Sequence, residues 1–189
     1  MTLIYRPSAL TPDEVLRRAP QRTPRLVQKA LRSLSRLDPQ QSEHLSTVFR
    51  KSLDVAVGRL SPLEAYSPAL SGLPVSRRFA VRQLSSKGTW KVREIDDLHE
   101  SEVNEAATVT RRIRMGRLAS LVAAARAFRR ASPGLPLRVV KSDFRSAYRC
   151  VPIASSHLRW ARVLILDPCT GKAFVATQWA MPFGALGAV

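Results

Sequence analysis

One carboxylate in this sequence is set apart from the others. Asp143 is the only acidic residue between Glu105 and Asp167, a stretch that holds 13 Lys and Arg residues. It follows Leu137-Arg138-Val139-Val140-Lys141, which reads as a short apolar strand, and precedes 144–148, which reads as a helical turn. Loops at strand ends are where folds commonly deliver functional groups. A carboxylate there can hold Mg²⁺ (or Mn²⁺), a hard cation that takes oxygen ligands and usually keeps substrate phosphates in its shell. Asp is also a favoured helix N-cap, and Asp143 could serve only to cap the turn after it. Lys91 and Arg93 lie two apart in a strand-like run and therefore share a face. With Lys87 in the preceding turn, they form a basic hairpin that by itself would bind phosphates unspecifically. Other chemistries find no pattern. His44, His99 and His157 lack metal-ligand spacing, Cys150 and Cys169 form no CxxC, and neither GxxxxGK[ST] nor GxGxxG occurs.

The whole-chain composition agrees with a phosphate-rich partner. Thirty-one Lys and Arg oppose 14 Asp and Glu across 189 residues, a formal net charge of +17, and arginine supplies 25 of the cations. Such a balance points to a polyanion, either nucleic acid or an anionic membrane surface. Hydrophobic residues make up 45%, enough for a packed core in one large or two small domains. No apolar run approaches the ~18–20 residues that span a bilayer, the longest being 118–125 and 163–166. The start, Met1-Thr2-Leu3-Ile4-Tyr5-Arg6-Pro7, has no signal-peptide character. The expectation is a soluble, intracellular chain in nucleus or cytoplasm, not secreted, with reduced cysteines and no membrane partner.

The elements that must position these residues divide at residue 76. Residues 1–75 read as a basic helical region. Thr11-Pro12-Asp13-Glu14 and Ser61-Pro62-Leu63-Glu64 each place a hydroxyl cap, a proline at the first helical position and a glutamate three residues after the cap. Thr23-Pro24 reads as the start of a separate helix, with Leu26, Val27, Ala30, Leu31, Leu34 and Leu37 on one face. Its other face carries Arg25, Lys29, Arg32 and Arg36. A further helix over 40–59 would bury Leu45, Val48, Phe49, Leu53 and Val57. From 76 onward the strands 78–84 and 89–95 form a hairpin through Ser85-Ser86-Lys87-Gly88. A long helix over 104–131 follows, its stripe being Met115, Leu118, Leu121, Val122, Ala125 and Phe128. The strand 137–141 and a second hairpin, 160–167 with 172–179, complete an α+β pattern.

Three segments together resemble a known family. Val139-Val140-Lys141-Ser142-Asp143-Phe144-Arg145-Ser146-Ala147-Tyr148-Arg149-Cys150-Val151-Pro152-Ile153 looks like the first palm motif of reverse transcriptases: an apolar strand, an Asp, an aromatic residue and a Val/Ile-Pro segment. Met181-Pro182-Phe183-Gly184 resembles their Pro-Phe-Gly or Pro-Gln-Gly motif. Trp90-Lys91-Val92-Arg93-Glu94-Ile95-Asp96-Asp97 with Asn104 is similar to the Lys-x-Arg-x-Ile-x-Asp…Asn fingers segment of retrotransposon-type polymerases. The resemblance covers about 77–189. It implies an α+β right-hand polymerase fold in which 76–189 is a partial reverse transcriptase domain. Fingers would lie at 76–104 and 151–180, a connecting helix at 105–131, the palm start at 137–150 and a nucleotide-pocket motif at 181–189.

The implied activity is RNA-directed DNA polymerisation on an RNA template and DNA primer. Asp143 would be the catalytic residue and ligand of Mg²⁺ or Mn²⁺. Lys87, Lys91, Arg93, Phe144, Tyr148, Phe183 and Gly184 would contact the incoming dNTP, with Tyr148 as the aromatic gate against a 2′-hydroxyl. Tyr148 could equally be a core residue. The family's Tyr-x-Asp-Asp hairpin occurs nowhere in the chain, so a C-terminally truncated polymerase, inactive by itself, is expected. Two other readings stay open: a non-catalytic basic nucleic-acid-binding protein or decayed retroelement relic, and an unrelated basic α+β module.

Overall fold

Local capping chemistry starts the first helix where the spacing predicts. The computed structural model describes residues 6–54, 59–85, 88–109, 118–140, 147–182 and 184. Helix α1 (Pro12–Leu34) opens with a reciprocal box. The Glu14 N–H donates to the Thr11 hydroxyl at 3.2 Å, and the Thr11 N–H donates to the Glu14 carboxylate at 2.7 Å. The expected break at Thr23-Pro24 does not occur, because α1 continues through Pro20 and Pro24. Thr23 is buried, and its hydroxyl donates to the Leu73 carbonyl at 3.0 Å, so it makes a tertiary bond and caps nothing. Each internal proline removes a helical N–H donor and by itself costs ~3 kcal/mol. Burial of Val15, Ala19, Leu26, Val27 and Ala30 offsets that cost.

Helix α2 (Pro39–Leu53) is capped by Asp38, with Gln41 returning the bond. Leu45 and Val48 are buried as expected, whereas Leu53 is exposed and Val57 lies outside the described residues. The second predicted box, at Ser61-Pro62, forms no helix. The Ser61 hydroxyl accepts the Thr177 N–H at 2.9 Å, and Glu64–Ala65 becomes a short strand, β1. The hydroxyl that would have capped a helix is taken by a strand 116 residues away.

Both hairpins form and join. β2 (Ser76–Leu84) pairs with β3 (Trp90–Asp97), and β4 (Arg162–Asp167) pairs with β5 (Lys172–Thr177). The sheet order is β1-β5-β4-β2-β3, antiparallel except where β2 runs parallel to β4 at Ser76↔Val163 and Arg77↔Leu164. In the β4–β5 turn the Asp167 carboxylate accepts the Cys169 N–H and the Thr170 hydroxyl, and Gly171 takes φ +68°. Leu164, Leu166, Ala173 and Val175 pack with Leu26, Val27 and Ala30 of α1 and Leu45 of α2 on one side of the sheet. Val163, Ile165 and Ala176 pack with Leu60, Phe49 and Leu63 on the other. The N-terminal helices and the strands therefore share a core. The described architecture is a mixed α+β fold with a five-stranded mixed sheet.

Two expected elements differ. The helix expected over 104–131 begins later: Val103–Ala106 is a 3₁₀ turn, and Val109 is extended, bridging Arg6. Helix α3 (Leu118–Ala131) is described, whereas 110–117, including Met115, are not. The expected apolar stripe of α3 faces solvent, with Leu118, Leu121, Val122 and Phe128 all exposed. Residues 137–140 form no strand, since no described strand offers them a hydrogen-bonded partner, and Val139 and Val140 are exposed. Among the described residues no helix is long and apolar enough to cross a membrane.

Candidate functional site

β3 is one of the two edge strands and the spine of the site. Its side chains alternate between faces, and the register places their neighbours on β2. Lys91 and Arg93 are exposed, opposite Gln83 and Val81. Glu94 and Asp96 point to the other face, opposite Ala80 and Arg78. At the hairpin tip the Arg82 guanidinium stacks 3.9 Å above the Trp90 ring, and Trp90 stays 56% exposed.

Charges are concentrated beneath this hairpin. The Arg78 Nε and Nη2 donate to the two Asp96 carboxylate oxygens at 2.7 and 3.1 Å. Arg78 also donates to the Gln178 Oε1 at 3.1 Å and the Ser52 hydroxyl at 3.3 Å, while the Gln178 amide donates to Asp96 at 3.2 Å. All four residues are buried. Burial alone would lower the Arg78 pKa, but the Asp96 charge and its hydrogen bonds outweigh it and raise the guanidinium above its ordinary value. Next to this group the Arg149 Nη2 donates to the Glu94 Oε1 at 2.7 Å. Burial and the like charge of Arg78 lower Arg149 more than Glu94 and Asp96 restore it. The second Glu94 oxygen is buried and accepts no hydrogen bond among the described residues.

The segments carrying the resemblance interlock around β3. The Met181 N–H donates to the Val151 carbonyl at 2.9 Å, and the Ile153 N–H donates to the Trp179 carbonyl at 3.0 Å. This antiparallel bridge ties the stretch after Tyr148 to the Met-Pro-Phe-Gly stretch. The Asn104 side-chain amide donates to the Gly184 carbonyl at 3.0 Å. Gly184 has φ +126°, and a Cβ there would collide with the Asp96 carbonyl oxygen. Only glycine permits both that backbone conformation and that close approach.

Of the residues singled out in the sequence, Lys91 and Arg93 share one open face of the hairpin. Tyr148 lies in the 3₁₀ turn Ala147–Cys150, exposed, beside Arg149. Gly184 lies against β3. Asp143, Phe144, Lys87 and Phe183 lie outside the described residues. The structure thus joins the Tyr148 turn and Gly184 to the Glu94–Asp96 side, while Lys91 and Arg93 project from the opposite face.

Arg78, Glu94, Arg149 and Gln178 escaped the sequence reading. The hairpin register held the signal for the first: once Leu84 faces Trp90, Arg78 must face Asp96. Among the described residues no group of His, Cys, Asp or Glu has metal-site geometry, and the carboxylate that the resemblance assigns to a metal, Asp143, is not among them. A scan against protein-family models finds no match to this chain, and a search of curated proteins returns no significant relative.

Proposed function

We propose that the chain is part of an RNA-directed DNA polymerase that adds deoxynucleotides to a primer 3′ end. The observation that carries this reading is the interlocking of three segments far apart in sequence. Asn104 bonds to Gly184, Gly184 abuts Asp96, Arg149 pairs with Glu94, and 151–153 bridge to 179–181. These are the segments that resemble polymerase motifs, and they meet along one strand. In this reading the incoming nucleotide straddles the β3 edge: the exposed Lys91 and Arg93 hold its triphosphate on one face, and Tyr148, joined to the Glu94 side, packs against its sugar. Phe144, Phe183 and Gly184 line the pocket, and Lys87 supports it from the hairpin turn. Catalysis of phosphoryl transfer is chiefly positioning and charge stabilisation. A bound Mg²⁺, with Asp143 as its ligand, would supply Lewis-acid stabilisation.

The test is nucleotide binding on an RNA template with a DNA primer. Lys91→Ala/Arg93→Ala is expected to weaken dNTP binding about 100-fold or more, because each of the two lost charge-assisted phosphate contacts is worth ~1.5–3 kcal/mol. Tyr148→Ala is expected to remove the preference for dNTP over NTP. Unchanged nucleotide affinity in the double variant counts against the reading. The exposed Trp90 with its stacked Arg82 also suits a non-catalytic nucleic-acid-binding protein, since such a ring is a platform for unpaired bases. That second reading predicts nucleic-acid binding with no response to dNTP.

A further inference from the structure

α1 carries a basic surface separate from the β3 site. Arg18, Arg22, Arg25, Lys29 and Arg32 recur at intervals of four, three, four and three residues, so they form one stripe on the helix. At 1.5 Å per residue the stripe is about 21 Å long. It borders a groove of about 440 Å³, with Arg18, Arg22, Arg25 and Lys29 on one wall and Glu100 and Glu102 on the other.

The two carboxylates divide the stripe. Glu102 lies 3.3 Å from Arg18 and 3.1 Å from Arg22, and the Glu100 backbone carbonyl accepts two further bonds from Arg22. The Lys29 Nζ donates to the Glu100 carboxylate at 2.7 Å, while its side chain stays largely exposed. Arg25 and Arg32 are exposed and make no ion pair among the described residues. Arg18, Arg22 and Lys29 thus dock the loop that holds Glu100 and Glu102, while Arg25 and Arg32 present to solvent charge that is unpaired among the described residues.

We propose that Arg25, Lys29 and Arg32 bind the phosphate backbone of a nucleic-acid duplex, with Glu100 competing for Lys29. A row of this length suits a linear polyanion better than a single phosphate. Among the described residues no aromatic side chain lines the groove, so they offer no platform for unpaired bases and suit backbone contact. An anionic lipid surface fits less well. Membrane-surface helices bury an apolar face in lipid, and the apolar face of α1 is already buried in the protein core. The proposal does not depend on the nucleotidyl-transfer reading, because the stripe is on α1 and the nucleotide contacts are on β3.

The test is anisotropy with a labelled RNA–DNA hybrid across a salt series. Arg25→Gln/Arg32→Gln, both at exposed positions, is expected to weaken binding about 10- to 100-fold near 0.1 M salt and to flatten the salt slope by about two. Glu100→Gln is expected to tighten binding. Urea unfolding of each variant separates lost contacts from lost fold. Unchanged affinity and slope in the double variant would overturn the proposal. So would stripe-dependent binding to phosphatidylserine-rich vesicles without binding to the hybrid. Because dNTP affinity is read with Lys91→Ala/Arg93→Ala and hybrid affinity with the α1 variant, either reading can fail without the other.

Discussion

Arg78 and Asp96 face each other across β2 and β3 as a two-bond ion pair in which neither side chain is exposed to solvent. Gln178 and Ser52 use remaining hydrogen-bonding capacity of the pair, so α2, both strands of the first hairpin and the residue that follows β5 meet at one guanidinium. A buried pair gains little over an apolar replacement, but removing one partner strands a charge. Asp96→Leu and Arg78→Met are each expected to cost about 3–5 kcal/mol in urea unfolding. The double variant Arg78→Met/Asp96→Leu is expected to be nearer wild type than either single change. Additive losses would show that the two side chains act separately.

Gly184 gives a second prediction. Its φ of +126° and its approach to the Asp96 carbonyl exclude any side chain there. Gly184→Ala is expected to destabilise by about 1–3 kcal/mol, the usual cost of forcing a side chain into such backbone. Asn104→Ala, which removes the bond to the Gly184 carbonyl, should cost less, about 1 kcal/mol. Denaturation midpoints of the two variants check the order. A neutral Gly184→Ala would mean that 184 does not dock on β3 in solution.

How far these contacts could be read from sequence depends on their range. The α1 start was legible because Thr11 and Glu14 are three residues apart and cap each other locally. The first hairpin was legible because its turn sets its register. Thr23 and Ser61 misled for the opposite reason. Their hydroxyls serve Leu73 and Thr177, 50 and 116 residues away, and hydroxyl-proline spacing does not reveal such partners. The apolar stripe of α3 has helical spacing, yet spacing does not say whether a partner covers it. At the candidate site the individual motifs were visible, but their meeting was not. It depends on Asn104–Gly184 and Arg149–Glu94, contacts spanning 80 and 55 residues.

The capping box of α1 carries a pH dependence. The Thr11 N–H and then its hydroxyl hold the Glu14 carboxylate below its ordinary value of 4.5. A carboxylate with a lowered folded-state pKa stabilises the fold above its unfolded value, and that contribution is lost as pH falls through the folded value. The stability difference between wild type and Glu14→Ala is therefore expected to be full near neutral pH and to shrink once pH drops below 4.5. Thr11→Ala should cost about 1 kcal/mol at neutral pH. Unfolding curves at several pH values check both, and a wild-type to Glu14→Ala difference that did not change with pH would count against the box.

The most direct test of the polymerase reading is the metal dependence of nucleotide binding. A fluorescent dNTP would be titrated onto this chain with an RNA template and DNA primer, with and without Mg²⁺, in wild type and Asp143→Asn. The expected result is Mg²⁺-dependent dNTP binding that Asp143→Asn weakens at least about tenfold, as losing a charged ligand requires, while primer–template affinity stays unchanged. Nucleotide binding indifferent to Mg²⁺ and to Asp143→Asn, or its complete absence beside intact primer–template binding, would contradict it.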